Sequence, residues 1–196
     1  APAATSLTLR GGSGELNLAA LVKFPKLKQL SLSEVSEVTR LGALDGLSSL
    51  EALNIYDSSL YKESDALFRL KQVKSLMCSE CRLNFEQKAA AENSVLEHLT
   101  LEQPYFSINN TSVTEVDRMM PYFAKLSALR SFTLQDSNLA SLEFMSNWQA
   151  MEELHLENNA ISNIETLSQL PNLQKVYLSG NSVQNKSVLG TGVHVY

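Results

Sequence analysis

A repeating apolar pattern runs along almost the whole chain and constrains the fold more than any other feature. Residues 151–161 read Met-x-x-Leu-x-Leu-x-x-Asn-x-Ile, and 22 residues later 173–183 read Leu-x-x-Val-x-Leu-x-x-Asn-x-Val. The same spacing recurs at steps of 22 or 23 residues, apart from one step of 33. A fixed period of this length is typical of a solenoid, in which each unit packs only on its neighbours. The eight units start near Ala4, Leu27, Leu50, Val73, Leu96, Leu129, Met151 and Leu173.

Each unit combines two periodicities. Leu-x-Leu alternation predicts a half-buried strand, and apolar residues that then recur every third position predict a 3₁₀ or irregular helical return. The second period is clear at Ile161, Ile164, Leu167 and Leu170. Neither segment can bury its apolar side alone, so stacked copies must share one core. We expect an α/β solenoid, with a curved parallel β-sheet of about eight strands on the concave face and short 3₁₀, helical or irregular segments on the convex side.

These residues resemble the leucine-rich repeats, over about residues 5 to 183. The units are most similar to the 22-residue type of bacterial internalin-like proteins and of a eukaryotic phosphatase-regulating subunit. Pro25 and Pro171 each lie two residues before a unit start, which is a habit of the family. The resemblance implies a right-handed leucine-rich-repeat horseshoe that binds other proteins. The family's asparagine column is kept only at Asn159 and Asn181, and its other positions hold Gly12, Val35, Ser58, Cys81, Pro104 and Ser137.

The residue after each unit start forms a column of alternating charge. In-register stacking would put each charge beside two of opposite sign, which favours the correct register. An exposed pair is worth only about 0–1 kcal/mol, so the alternative is ordinary solvated surface charge. The column reads Thr5, Lys28, Glu51, Lys74, Glu97, Arg130, Glu152 and Gln174.

Residues 1–196 are predicted to form a single leucine-rich repeat domain with one helical insertion at about 107–125, in the 33-residue step. Ser112 to Glu115 matches a capping box. The predicted helix covers the convex side of unit five, or alternatively protrudes and shapes a binding rim. Its apolar stripe, disturbed at Pro121, consists of Val113, Val116, Met120 and Phe123.

Three further segments carry expectations. The Ala-rich stretch from Glu86 to Glu92 predicts a short helix in a return segment. The C-terminal closing segment, 184–196, contains Val193 to Tyr196, which predicts a closing strand or, alternatively, the start of a downstream domain. The small residues after Ala1 fit either a mature end left by signal-peptide cleavage or an experimental boundary.

The sequence shows no catalytic constellation, and we predict a protein that is not an enzyme and uses no cofactor and no metal. Cys78 and Cys81 form a C-x-x-C motif without a second pair, and both fall on inward positions, so inert buried thiols are favoured over zinc or redox chemistry. His98 and His155 are separated by one unit, which argues against a shared metal. Sixteen Lys and Arg against 21 Asp and Glu argue against phosphate-neutralising nucleic-acid binding.

The concave face is the remaining candidate site. Its C-terminal units gather carboxylates around His155, beside Tyr177, and aromatic and charged side chains commonly anchor protein interfaces. We therefore predict that a protein or peptide, possibly basic, binds there; the alternative is an ordinary hydrated sheet face. The residues predicted to contact the partner are Tyr56, Met77, His98, Glu102, Gln135, Glu153, His155, Glu157 and Tyr177.

The predicted function is a non-catalytic protein–protein interaction module of an exported or cell-surface bacterial protein, with a monomer favoured. No apolar run reaches the roughly 20 residues of a membrane span, so no transmembrane segment is predicted. Two alternatives remain open. One is an intracellular, cytoplasmic scaffold that binds an enzyme such as a phosphatase, and the other is an enzyme whose site the sequence does not reveal.

Overall fold

The computed structural model describes residues 3–86 and 93–196. The predicted helix at 86–92 lies, apart from Glu86, outside the described residues. The strands are β1 Ser6–Arg10, β2 Glu15–Asn17, β3 Gln29–Ser33, β4 Glu37–Thr39, β5 Ala52–Tyr56, β6 Ser59–Leu60, β7 Ser75–Ser79, β8 Arg82–Phe85, β9 His98–Glu102, β10 Tyr105–Ile108, β11 Thr111–Ser112, β12 Ser131–Gln135, β13 Glu153–His155, β14 Lys175–Tyr177 and β15 His194–Val195. The helices are α1 Ser64–Leu67, α2 Met120–Phe123 and the 3₁₀ helices Leu18–Lys23, Leu41–Gly46, Val116–Arg118, Glu143–Met145, Glu165–Gln169 and Lys186–Val188.

Nine strands of the described chain form one parallel sheet, in the order β1-β3-β5-β7-β9-β12-β13-β14-β15. Its register is that of the sequence repeat, since Leu30 lies opposite Leu53 and Leu53 lies opposite Leu76. The predicted solenoid with eight repeat strands is therefore confirmed, and β15 pairs with β14 as a ninth strand of the same sheet. A four-stranded sheet, β11-β10-β8-β6, and the pair β2-β4 follow the turns that leave the large sheet.

The leucine positions of the repeat build the core. On consecutive strands, Leu53, Leu76 and Leu99 are almost completely buried, and so are Leu41 and Leu44 of a 3₁₀ return. Burying one such side chain contributes about 1.5–3 kcal/mol. Because these side chains lie between stacked coils, each unit gains this stabilisation only when its neighbours are in place.

The side chains of the asparagine column form hydrogen bonds with backbone groups near the turn where each coil leaves the sheet. Asn159 donates from Nδ2 to the carbonyls of Leu134 (2.7 Å), Leu156 (3.0 Å) and Glu157 (3.2 Å), and its Oδ1 accepts from the N–H of Leu139 at 3.0 Å. In the next coil, Asn181 repeats the arrangement. The amide thus joins two coils through groups that would otherwise be buried without partners.

Smaller polar side chains take the same role in earlier coils. Ser58 and Ser137 each donate to the carbonyl two residues before them, at 2.7 Å. Cys81 lies 3.3 Å from the carbonyl oxygen of Ile55 in the previous coil. The thiol therefore occupies the asparagine position as a weak donor inside the core.

The insertion begins as a hairpin, and the predicted capping box is not formed. Ser112 lies in β11 and pairs with Ser107 of β10, while Glu115, without a side-chain hydrogen bond, precedes the 3₁₀ helix Val116–Arg118. The two turn residues, Asn109 and Asn110, both have positive φ, as a type I′ hairpin turn requires. Because Ser112 is held in this strand pair, it does not cap a helix.

The rest of the insertion packs against residues of units three and four. Phe123 is buried, and its ring lies 5.2 Å from that of Phe68 and 6.0 Å from that of Phe85. Tyr122 donates a hydrogen bond of 2.6 Å to Asp65. Burial and this hydrogen bond raise the pKa of Tyr122 above its ordinary value. Pro121 lies in the first turn of α2, where its missing N–H costs little.

The charged column stacks in register. The N–H of Lys74 donates to the carbonyl of Glu51, and the N–H of Glu97 donates to that of Lys74. Among the five opposite-charge junctions, the described residues show ion pairs at two, Lys28–Glu51 (3.8 Å) and Arg130–Glu152.

Candidate functional site

The residues that alternate with the leucine positions form the concave face in rows across the strands. One outer row ends the strands and includes Arg10, Tyr56, Glu102 and Gln135. Stacking in register therefore makes neighbours of residues about 22 positions apart in sequence. The middle row reads Thr8, Ser31, Asn54, Met77, Thr100, Thr133, His155 and Tyr177.

The predicted site residues separate into two groups on this face. Tyr56, Met77 and His98 lie on β5, β7 and β9, with Tyr56 exposed at 39%. The other six lie at the C-terminal half of the sheet, where two residues not selected from the sequence join them. We define the C-terminal concave cluster as Glu102, Gln135, Glu153, His155, Glu157, Lys175, Tyr177 and Tyr196.

His155 lies between two carboxylates of its own coil. Its Nε2 is 2.9 Å from Glu153 Oε1, and its Nδ1 is 3.8 Å from Glu157 Oε1. Since an ionised carboxylate only accepts, the short contact is a hydrogen bond donated by Nε2–H. The Nδ1 of the ring thus faces the second carboxylate across a longer gap.

Lys175 completes the Glu153 side of the cluster. Its Nζ is 3.3 Å from Glu153 Oε2. Burial acts to raise the pKa of Glu153, but its hydrogen bonds with His155 and Lys175 outweigh burial, so that this pKa is lowered. The same hydrogen bond, together with the charge of Glu153, raises the pKa of Lys175. The Glu153 carboxylate is therefore ionised and already paired within the chain.

Three rings stack along the middle row. The rings of His155 and Tyr177 have centroids 4.3 Å apart and planes 7° apart, and those of Tyr177 and Tyr196 follow at 4.6 Å and 13°. This spacing is close to the distance between neighbouring strands, about 4.8 Å, so register brings the rings together. The stack holds the imidazole of His155 in a fixed plane.

The outer row carries carboxylates that lack a cation. Gln135 donates from Nε2 to Glu157 Oε2 at 2.7 Å, and Glu102 lies opposite Gln135 on the next strand. Within residues 3–86 and 93–196, neither Glu102 nor Glu157 has a Lys or Arg within 4.0 Å. Unlike Glu153, Glu157 keeps one oxygen, Oε1, without a hydrogen bond.

Next to this row, a column of turn residues adds further negative charge. Each of these non-glycine residues has a positive φ, because the backbone turns out of the sheet there: Glu34, Asp57, Glu80, Gln103, Asp136 and Asn158. Together with the concave rows, the column brings seven carboxylates and two cations to this side of the described chain. Both cations are paired, Arg10 with Glu34 at 2.5 Å and Lys175 with Glu153.

The two cysteines are buried in the core, and His98 and His155 lie on strands that are not adjacent. Cys78 and Cys81 are free and completely buried, and hydrogen bonding to Cys81 and burial raise the pKa of the Cys78 thiol well above its ordinary value. A thiol so held is a poor nucleophile. Strand β12 lies between the strands of His98 and His155. The described residues contain no group of three side chains placed to hold a metal ion.

In the part of the chain that the structure describes, no helix has the length and apolar character needed to cross a membrane.

Known proteins resemble the chain in both sequence and fold. A family model, "Leucine Rich repeats (2 copies)", matches residues 149–188, the two units that keep the asparagine. No curated protein sequence matches the chain significantly.

Among solved structures, the chain is similar to internalin C2 from Listeria monocytogenes, with 20% identity and a TM-score of 0.67 over 97% of this chain and 78% of that one. It is similar to the leucine-rich repeat domain of the type III effector XopL, with 15% identity and a TM-score of 0.65 over 100% of this chain and 76% of that one. It also resembles the plant peptide hormone receptor RGFR1, in complex with RGF2, with 17% identity and a TM-score of 0.57 over 91% of this chain and 27% of that one. These likenesses show a shared horseshoe fold.

Proposed function

Because the chain is a leucine-rich repeat protein, we propose that it is a non-catalytic interaction module that binds a basic protein or peptide on its concave face. The charge of that face supports this proposal most strongly. Two cations, both paired, stand against seven carboxylates. A cationic partner would find carboxylates already arranged in a row, which favours rapid and specific association.

The C-terminal concave cluster is the proposed centre of binding. Glu157 and Glu102 offer carboxylates without a Lys or Arg partner in the described chain, and Gln135, between them, holds Glu157 in place. Arginine suits such a site, because its planar guanidinium makes two parallel hydrogen bonds to a carboxylate and packs against aromatic rings. Tyr177 and Tyr196 supply the rings beside this row.

A structural neighbour supports a peptide as the partner. RGFR1, a peptide hormone receptor, was solved in complex with RGF2, and its repeats share the fold of this chain. The similarity to a Listeria internalin supports the further proposal that the chain belongs to an exported or surface-exposed bacterial protein. A signal peptide encoded upstream of Ala1 would support that location. A protein made without a signal peptide and kept inside the cell would contradict it.

Binding to peptides of defined charge tests the proposal. Fluorescein-labelled nona-arginine and nona-glutamate are titrated with the protein at pH 8.0 and low ionic strength, and fluorescence polarisation is measured. Nona-arginine should bind and nona-glutamate should not. Removing one charged hydrogen-bond partner should weaken binding of nona-arginine to Glu157→Gln by roughly tenfold.

Glu165→Gln is the matched control, because Glu165 is exposed on a 3₁₀ return of the convex side and the substitution changes the net charge equally. Equal loss of affinity in both variants would mean that only net charge matters. Absence of nona-arginine binding would overturn the proposal.

A further inference from the structure

His155 lies where it can regulate the concave site. Its imidazole lies between Glu153 and Glu157, and each of its nitrogens faces a carboxylate oxygen. The two contacts differ in length by almost 1 Å, at 2.9 Å and 3.8 Å. In the neutral ring that donates from Nε2, Nδ1 carries a lone pair and cannot donate to Glu157 Oε1. The longer contact is therefore the one that a second proton would change.

Glu157 divides its two oxygens between different tasks. Oε2 accepts the hydrogen bond from Gln135, whereas Oε1 faces His155 Nδ1 and has no donor among the described residues. The side chain retains 20% exposure, so that a partner from solvent can reach it. Oε1 is thus the oxygen that a bound cation would use.

We infer that protonation of His155 at Nδ1 weakens the binding of a cationic partner, because the new N–H donates to Glu157 Oε1 and occupies it. The inference rests on the proposed function of the concave face. The step takes one proton from solvent and makes both ring nitrogens donors, one to each carboxylate. Histidine is the side chain whose charge ordinarily changes between about pH 8 and pH 5, so two pH values in that interval are the conditions to compare.

The charged groups around His155 have a small net charge, so that one added proton changes that net charge substantially. With a neutral imidazole, Glu153, Glu157 and Lys175 sum to a charge of −1, and the added proton brings the sum to zero. One unit of charge within hydrogen-bonding range of a partly exposed site changes affinity for a cation by about three- to tenfold. The other titratable groups of the neighbouring strands and turn are Tyr177 on β14, His194 on β15, Tyr196 after it, and Asp136 after β12.

The ring stack prepares the imidazole for this step. Tyr177 lies parallel to the ring of His155, within 7°, and restrains its plane, while the hydrogen bond from Nε2 to Glu153 leaves Nδ1 on the side of Glu157. Closing a gap of 3.8 Å to hydrogen-bond length then needs a movement of about 1 Å, which the glutamate side chain can supply.

Polarisation titrations of nona-arginine at pH 8.0 and pH 5.5, at constant ionic strength, test the inference. Arginine stays fully charged in this range, and carboxylates ordinarily titrate below it, near 4.3. Wild-type affinity should fall about three- to tenfold at pH 5.5, and that of His155→Gln should change less than about twofold. His194→Gln, one strand beyond Tyr177, should behave as wild type.

The outcomes separate the two proposals. Equal wild-type affinity at both pH values, or an undiminished pH effect in His155→Gln, overturns the switch and leaves the binding function standing. Absence of nona-arginine binding at pH 8.0 overturns the binding function, and the switch falls with it.

A measurement on the wild-type protein without a partner tests the switch independently of whether the His155→Gln variant folds. In wild-type NMR spectra, the side-chain amide signals of Gln135 should shift with the same midpoint as the ring signals of His155, because both groups contact Glu157. If the Gln135 amide signals do not shift with the same midpoint as the His155 ring signals, the proposed switch is wrong.

Discussion

Truncation of Asn159 to alanine should destabilise the solenoid strongly. The side chain is only 8% exposed and links two coils through its amide. Its loss removes the donor to Leu134 O and the acceptor of Leu139 N, both of them buried, and also the acceptor of the part-buried Ser137 N–H, whereas Leu156 O keeps the hydrogen bond from Asn181. A buried polar group left without a partner costs about 1–3 kcal/mol, so two such groups give a loss of about 2–4 kcal/mol after partial hydration.

The protein carries its own probe for this measurement. Trp148 is the single tryptophan, is completely buried, and packs edge-on against Phe132 and Phe144. Its fluorescence therefore reports unfolding of the region around Asn159, and guanidinium titrations give the change in free energy of unfolding.

Two further variants make the prediction refutable. Asn147→Ala changes an exposed asparagine without a side-chain hydrogen bond among the described residues and should stay within about 0.5 kcal/mol of wild type. Asn159→Ser should fall between wild type and Asn159→Ala, since serine fills this column elsewhere. A loss below about 1 kcal/mol for Asn159→Ala, or one equal to that of Asn147→Ala, would refute a stabilising polar column.

Three other predictions concern the turn column, the insertion and the charged column. Gly180→Ala should lower the free energy of unfolding by about 1–3 kcal/mol, because φ is +76° and a Cβ would lie 3.0 Å from the Cα of Asn158. At Gly42 a Cβ would meet open space, so Gly42→Ala should cause no measurable change in thermal melts. The raised pKa of Tyr122 means that its stabilising contribution is present below the ordinary tyrosine pKa, near 10, and is lost as pH rises above it. Tyr122→Phe should therefore flatten the loss of stability above about pH 10, and parallel curves of stability against pH would contradict this. Glu97→Lys should lower the melting temperature more than Glu97→Ala, because it puts a third cation in a row with its neighbours, and equal melting temperatures would remove the charged column as a register device.

The periodic part of the fold was predictable because it depends on a few strongly constrained positions. Residues such as Leu53 and Leu76 must be apolar in every coil, and the alternation between them fixes which side chains face the concave side. The register then follows from the repeat length, so the sequence alone places His155 and Tyr177 in one row.

The irregular part was less predictable, because local signals compete with long-range pairing. Ser112 to Glu115 has the composition of a capping box, yet pairing of Ser112 with Ser107 prevails. A usable signal was overlooked there, since two consecutive asparagines, Asn109 and Asn110, favour the positive φ values of a hairpin turn.

The membership of the candidate cluster depended on details that a sequence pattern does not contain. Lys175 lies opposite Glu153 in the repeat register, but whether the two side chains form an ion pair depends on their conformations. Tyr196 joins the ring stack only because β15 closes the sheet in register. In both cases the contact depends on a strand of the next repeat unit along the chain.

NMR mapping of a bound peptide shows directly which face of the solenoid binds it. The ¹⁵N-labelled protein is titrated with nona-arginine at pH 8.0, and backbone amide shifts are followed residue by residue. The largest changes should fall on β13, β14 and Gln135. Largest changes on the convex 3₁₀ helices, Glu143–Met145 and Glu165–Gln169, would contradict binding on the concave face.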